Sequence, residues 1–180
     1  MMISMRRLSR FAGAKKGLAA LEFALLLPMM LLLLFGSCEL IDVMMVNRRV
    51  QNVSSSLADV VARDTEVSNA EVQGLWSSLS VLMYPEGVGT AMDVRITSLS
   101  IANNKASVVW SEGYNGLSPL NKNSTVSLPS AMMQNGSSLI MAETVYRYNS
   151  VLGFLFSGTM RMTSTSYRRS RLVDPIPRVS

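Results

Sequence analysis

From Leu18 to Gly36 the sequence LAALEFALLLPMMLLLLFG carries one charge, Glu22, and shows no polar stripe. A helix that is apolar on every side belongs in lipid or deep inside a protein. At 1.5 Å per residue this one spans about 29 Å, which matches the hydrocarbon core of a bilayer. Pro28 falls inside the run and predicts a kink or a loosened turn, which neighbouring helices in lipid can tolerate.

Beyond Gly36 the pattern narrows to one face. Val43, Val46, Val50, Val53, Leu57 and Val60 recur at alternating steps of three and four, with polar residues between them. This heptad-like stripe predicts an amphipathic extension over residues 38–66, packed on the protein's own sheet or lining a helix bundle. Ser68 to Glu71 then reads as a capping box opening a second helix, with Val72, Leu75, Trp76, Leu79 and Leu82 on its apolar face and its end before Pro85 and Gly87.

From there the rhythm shortens to two. MDVRITSLSI alternates as a strand with a slip near Ser98 that predicts a bulge, Asn103 and Asn104 supply a turn, and ASVVWSE returns. Residues 113–138, rich in Gly, Asn, Ser and Pro, predict a loop with a short helical turn at Ala131 to Gln134. SLIMAETVYRYN and TMRMTSTSYRR are strand-like, and the apolar VLGFLF between them is assigned to no element by its pattern. The fold expected is α+β: a long N-terminal transmembrane and amphipathic helix packed on a small antiparallel sheet, with a second helix covering it. The chain divides into a basic leader (1–17), a transmembrane helix (18–37), the amphipathic extension (38–66), an exported α+β domain (67–174) and a tail (175–180).

Composition sharpens this picture. A chain of 180 residues suits one membrane segment and one modest domain. The net charge of +5 sits in the leader, where Arg6, Arg7, Arg10, Lys15 and Lys16 meet no acid; the rest of the chain balances twelve basic against twelve acidic residues. The charge therefore marks a targeting segment, and no nucleic-acid partner is expected. A second basic group, Arg168, Arg169, Arg171 and Arg178, lacks the interleaved aromatics of a stacking platform and fits a solvated or subunit-facing tail.

The chain has no histidine and one cysteine, Cys38, which excludes Ser-His-Asp and Cys-His catalysis, His-based metal sites and an intramolecular disulfide. With no CxxC pair and no glycine-rich phosphate loop, no catalytic residue, metal ligand or cofactor is expected. Trp76, Trp110, Tyr146 and Tyr148 fall at helix and strand spacings that fit core or sheet-face packing. Glu39 and Asp42, with Arg48 and Arg49, fit surface pairs along a helix.

The chemistry concentrates in KKGLAALEFALLLP. A carboxylate at the centre of a membrane helix costs about 2.5–3.5 kcal/mol on insertion scales, less near the end, so Glu22 calls for a positive partner. Cleavage after Gly17 would create one, because Leu18 would then carry a free ammonium four residues before Glu22, on the same or a neighbouring chain. Gly17 suits an unhindered, non-helical scissile bond at the membrane face. The five preceding positive charges hold the leader in the cytoplasm and send the rest of the chain outward.

At these residues the chain resembles the TadE-like family, minor pseudopilins of the tight-adherence (Flp-type, type IVc) pilus system. Gly17, the four apolar residues Leu18 to Leu21, and Glu22 with Phe23 form the matching pattern; phenylalanine where the major pilins commonly have tyrosine favours the TadE-like branch. The length favours the short TadE- or TadF-like subunits. The resemblance implies cleavage between Gly17 and Leu18 by a prepilin peptidase, and an assembly role for Glu22 and Phe23. It implies a pseudopilin-like protein crossing the bacterial inner membrane once, with the N-terminus cytoplasmic and the C-terminal domain periplasmic. Its partners would be other pilin or pseudopilin subunits and the inner-membrane pilus platform, and its role the assembly of the pilus by helix packing, in the membrane or in the filament.

The residues leave two other classes open. One is an uncleaved signal-anchored periplasmic interaction protein in which Gly17 is incidental. The other is an exported lipoprotein, since Phe35, Gly36 and Ser37 precede Cys38 in a faint lipobox; the length of the apolar run and the charge and proline inside it count against this.

Overall fold

The computed structural model describes residues 15–180. The basic leader, with Arg6, Arg7 and Arg10, lies outside the described residues apart from the positions that already belong to the first helix. That helix, α1 (Lys15–Ala62), runs unbroken for 48 residues and continues through Pro28, a length of about 72 Å. The helix α2 (Asn69–Met83) starts at the expected capping box: the Glu71 amide donates to the Ser68 hydroxyl at 3.3 Å, and the Ser68 amide donates to the Glu71 carboxylate at 2.5 Å.

The strands are β1 (Met92–Ala102), β2 (Lys105–Tyr114), β3 (Thr125–Val126), β4 (Ser137–Asn149) and β5 (Thr159–Arg169). They form one antiparallel sheet in the order β3-β2-β1-β4-β5. Asn103 and Asn104 both take positive φ, of 52° and 56°, as a tight two-residue hairpin turn requires. The expected bulge is present: Ser98 pairs with Trp110 and Leu99 with Val108, which leaves Val109 as the extra residue. The bulge decides where β2 points. Ala106 and Val108 face one side of the sheet, and Trp110 is turned to the other.

The sheet thus has two buried faces. On one, Val94, Ile96, Ile140 and Ala142 pack under α1 and α2. On the other, Leu99, Ile101, Leu139 and Met141 are covered by Leu120, Leu128 and Met133 from the long β2–β4 connection. The architecture is α+β, with a long apolar N-terminal helix packed across a curled five-stranded sheet.

The stripe on α1 differs from its heptad reading at one end. Val46, Val50, Val53 and Leu57 are fully buried, but the stripe then continues through Ala58 and Val61, and Val60 is 51% exposed. A straight α-helix has 3.6 residues per turn and drifts away from a 3.5-residue repeat, so after two heptads the core-facing position moves on by one. The helix also stops at Ala62, short of residue 66.

The C-terminal tail is anchored to the domain at Ile176, while Pro175, Pro177 and Ser180 stay exposed. Ile176 is completely buried, its carbonyl accepts the Trp110 indole N–H at 2.8 Å, and Val67 pairs with Arg178 in a parallel bridge. The arginines read as a basic tail are all engaged within the chain: Arg168 donates to Ser55, Arg169 to Gln134, Arg171 to Asp59 and Arg178 to Glu112. The buried indole of Trp110 requires an acceptor, and the tail supplies it.

Candidate functional site

The residues singled out by sequence lie at the start of α1. Gly17 is in the first turn of the helix, so the bond to Leu18 is helical here rather than extended; Leu18 to Leu21 are strong helix formers, and among the described residues nothing beyond the helix's own adjoining turns lies within 4 Å of a Cβ built at Gly17. Leu18, Glu22 and Phe23 are exposed, as are all the residues from Leu18 to Phe35. No element of the folded domain buries any residue of this stretch. It is the one helix among the described residues long and apolar enough to cross a membrane.

The change comes at Gly36, which is buried because Leu155 from the β4–β5 loop lies flat against the helix there; a Cβ at Gly36 would meet Leu155 Cδ1 at 3.0 Å. One turn on, Glu39 is 1% exposed. Its carboxylate accepts the Leu155 amide at 2.6 Å and the Ser150 hydroxyl, with the amides of Phe156 and Phe154 also directed at it. Burial acts to raise the pKa of Glu39, but these donors together outweigh it and hold the carboxyl below its ordinary value.

Polar contacts then follow the helix along its length. Tyr148 donates its hydroxyl to Asp42 at 2.5 Å, and burial together with this bond pushes the phenol up to about 12. Arg49 pairs with Glu86 at 3.0 Å, the Thr144 hydroxyl donates to the Val50 carbonyl at 3.3 Å, and Ser54 shares hydrogen bonds with Ser164 and Ser166. Glu39, Asp42 and Arg49 are therefore not the surface pairs that helical spacing implied. Each is bound to a residue remote in sequence. The signals available for Glu39 were an acid directly after an apolar run and an unassigned apolar stretch, VLGFLF, farther on.

Trp110, Tyr146 and Tyr148 are buried and Trp76 is partly buried against Tyr114, with ring centroids 5.4 Å apart, so these aromatics fill the core as their spacings implied. Among the described residues no three His, Cys, Asp or Glu side chains lie together as a metal site. Cys38 is exposed at the point where the bare half of α1 meets the domain.

Residues 17–59 match the family of TadE-like proteins. The match begins at the glycine read as the cleavage residue and ends just before Ala62, so it covers α1 and none of the sheet. No curated protein and no solved structure matches the chain.

Proposed function

We propose that the chain is a processed minor pseudopilin needed for assembly of a tight-adherence type IV pilus, cleaved by a prepilin peptidase between Gly17 and Leu18 and acting by helix packing. The observation that carries this is the coincidence of two boundaries. The TadE-like match starts at Gly17, and from Leu18 to Phe35 none of the helix is buried by its own domain. A helix built this way is complete only with lipid and other helices around it.

Glu22 is the single charge in that stretch, and its partner in this reading is the ammonium that cleavage creates at Leu18 of its own or a neighbouring subunit. Phe23 lies beside it as an exposed ring for packing between helices. Past the bilayer the outward side of α1 stays apolar, with Leu40, Ile41, Met44 and Met45 all about half exposed. That surface lies off the stripe buried on the sheet, and it extends the contact available to other pilin or pseudopilin subunits or to the inner-membrane platform. The N-terminus is cytoplasmic and the domain periplasmic, since the positive charges precede the span. No catalytic role or cofactor is part of this function.

The test is a comparison of Glu22→Ala and Glu22→Gln with wild type, by cross-linking and co-purification from native membranes at equal abundance. Insertion is expected to be unchanged, because removing a charge makes the helix more apolar. Recovery of partner subunits and of pili is expected to fall for both variants. Wild-type recovery from both would refute the inter-subunit role of Glu22.

A further inference from the structure

We propose that the β4–β5 loop, residues 151–156, is a second membrane contact, whose apolar side chains enter the outer interface of the same bilayer that α1 crosses. The proposal rests on the reading of residues 18–36 as the span. Val151 is 91% exposed, and Leu152, Phe154 and Leu155 are each about half exposed. From Ser150 to Met160 the loop carries no charge. A water-facing loop of this protein looks different: the β2–β4 connection is built from Gly, Asn, Ser and Pro, and its few apolar side chains turn in to cover the sheet.

The height of the loop fits lipid. A hydrocarbon core about 30 Å thick is crossed by about 20 helical residues. Counted from Leu18, its far edge falls beside Ser37 and Cys38, and Leu155 rests on Gly36 at that level. The exposed surface of the loop is thus continuous with the lipid-facing surface of α1.

The buried carboxylate of Glu39 then has a physical reason. Irregular backbone near lipid is tolerated only where its polar groups are satisfied within the protein. The Leu155 amide has no strand partner and donates to Glu39 at 2.6 Å, beside the Ser150 hydroxyl, which donates to the same carboxylate. The clamp satisfies the Leu155 amide and the Ser150 hydroxyl and fixes the loop's depth against the helix.

The experiment uses the full chain with Cys38→Ser and one new cysteine at Phe154, Leu26 or Lys122. Each is spin-labelled and reconstituted at high lipid excess in phosphatidylcholine–phosphatidylglycerol vesicles. Collision with oxygen, which concentrates in lipid, is compared with collision with a water-soluble nickel chelate. The label at 154 is expected to be oxygen-accessible and nickel-shielded, at a shallower depth than the label at 26, while the label at 122 behaves as aqueous. A 154 label that behaves like the 122 label, with the 26 label still deep, overturns the loop contact and leaves the anchor standing. An aqueous 26 label means that the span itself has failed, and the proposal with it. Shielding at 154 that disappears as the protein is diluted into more lipid identifies a neighbouring subunit as the occupant, and that also overturns the proposal.

Discussion

Along α1, the residues from Leu18 to Phe35 and those from Gly36 to Ala62 share one backbone but have different surroundings. The first half is apolar all round, carries one charge and is exposed at every residue. The second half buries one face against the sheet and α2, and it is tied to the strands, the β4–β5 loop and the segment after β5 by a series of polar contacts from Glu39 to Asp59. The inward face of the second half is therefore satisfied by its own chain, while the first half and the outward Leu40, Ile41, Met44 and Met45 are not. Mutations in the two halves should separate accordingly, into effects on assembly and effects on the stability of the domain.

The largest effect on stability is expected at Leu57, which is fully buried in the helical half that packs on the domain. Leu57→Ala should destabilise the domain by about 2–5 kcal/mol, the usual cost of such a truncation in a core. Leu26→Ala, in the bare half, should leave domain stability unchanged. Denaturant unfolding in detergent micelles, followed by the fluorescence of Trp76 and Trp110, measures both; equal losses would break the distinction between the halves.

Glu39 marks the junction, and there the expected effect is local. Glu39→Ala should accelerate hydrogen exchange at the amides of Phe154 to Phe156 while exchange in β1 and β4 stays slow. The pH dependence has a definite sign. Because the carboxyl is depressed below its ordinary 4.5, the clamp is at full strength above that pH and is lost as pH falls through the depressed value. Once corrected for the intrinsic pH dependence of exchange, protection of these amides should fall only below pH 4.5 in wild type, and it should show no such step in the alanine variant.

The smallest effect is expected from Ser68→Ala, which removes the cap of α2 without touching α1. A loss of about 1 kcal/mol in domain stability is the usual cost of removing such a cap. The same unfolding measurement reads it, and recovery of partner subunits should be unaffected.

What was legible in the sequence were the features set by local chemistry. The long apolar helix needed only an apolar run broken by a single charge, the start of α2 only a serine and a glutamate three apart, and the bulge only a break in strand alternation at Ser98. Glu39 could not be read this way, because an acid just past an apolar run is ordinary and the amide it accepts is 116 residues away. The tail misled for a related reason. Pro175 and Pro177 look like the end of a fold, yet the chain between them delivers Ile176 to the core and a carbonyl to Trp110. The register of the stripe was legible until helical drift accumulated, so Val61 took the place expected for Val60.

The central claim is that the bare half of α1 begins a mature protein at Leu18. Mass spectrometry of the N-terminus, on protein from native membranes with the peptidase active, tests this directly. The expected result is a chain starting at Leu18, with Gly17→Leu retaining the leader while still inserting. An intact Met1 form of the wild type would contradict the account and return the chain to an uncleaved signal anchor. A lipid-modified start at Cys38 would contradict it as well and make the chain a lipoprotein.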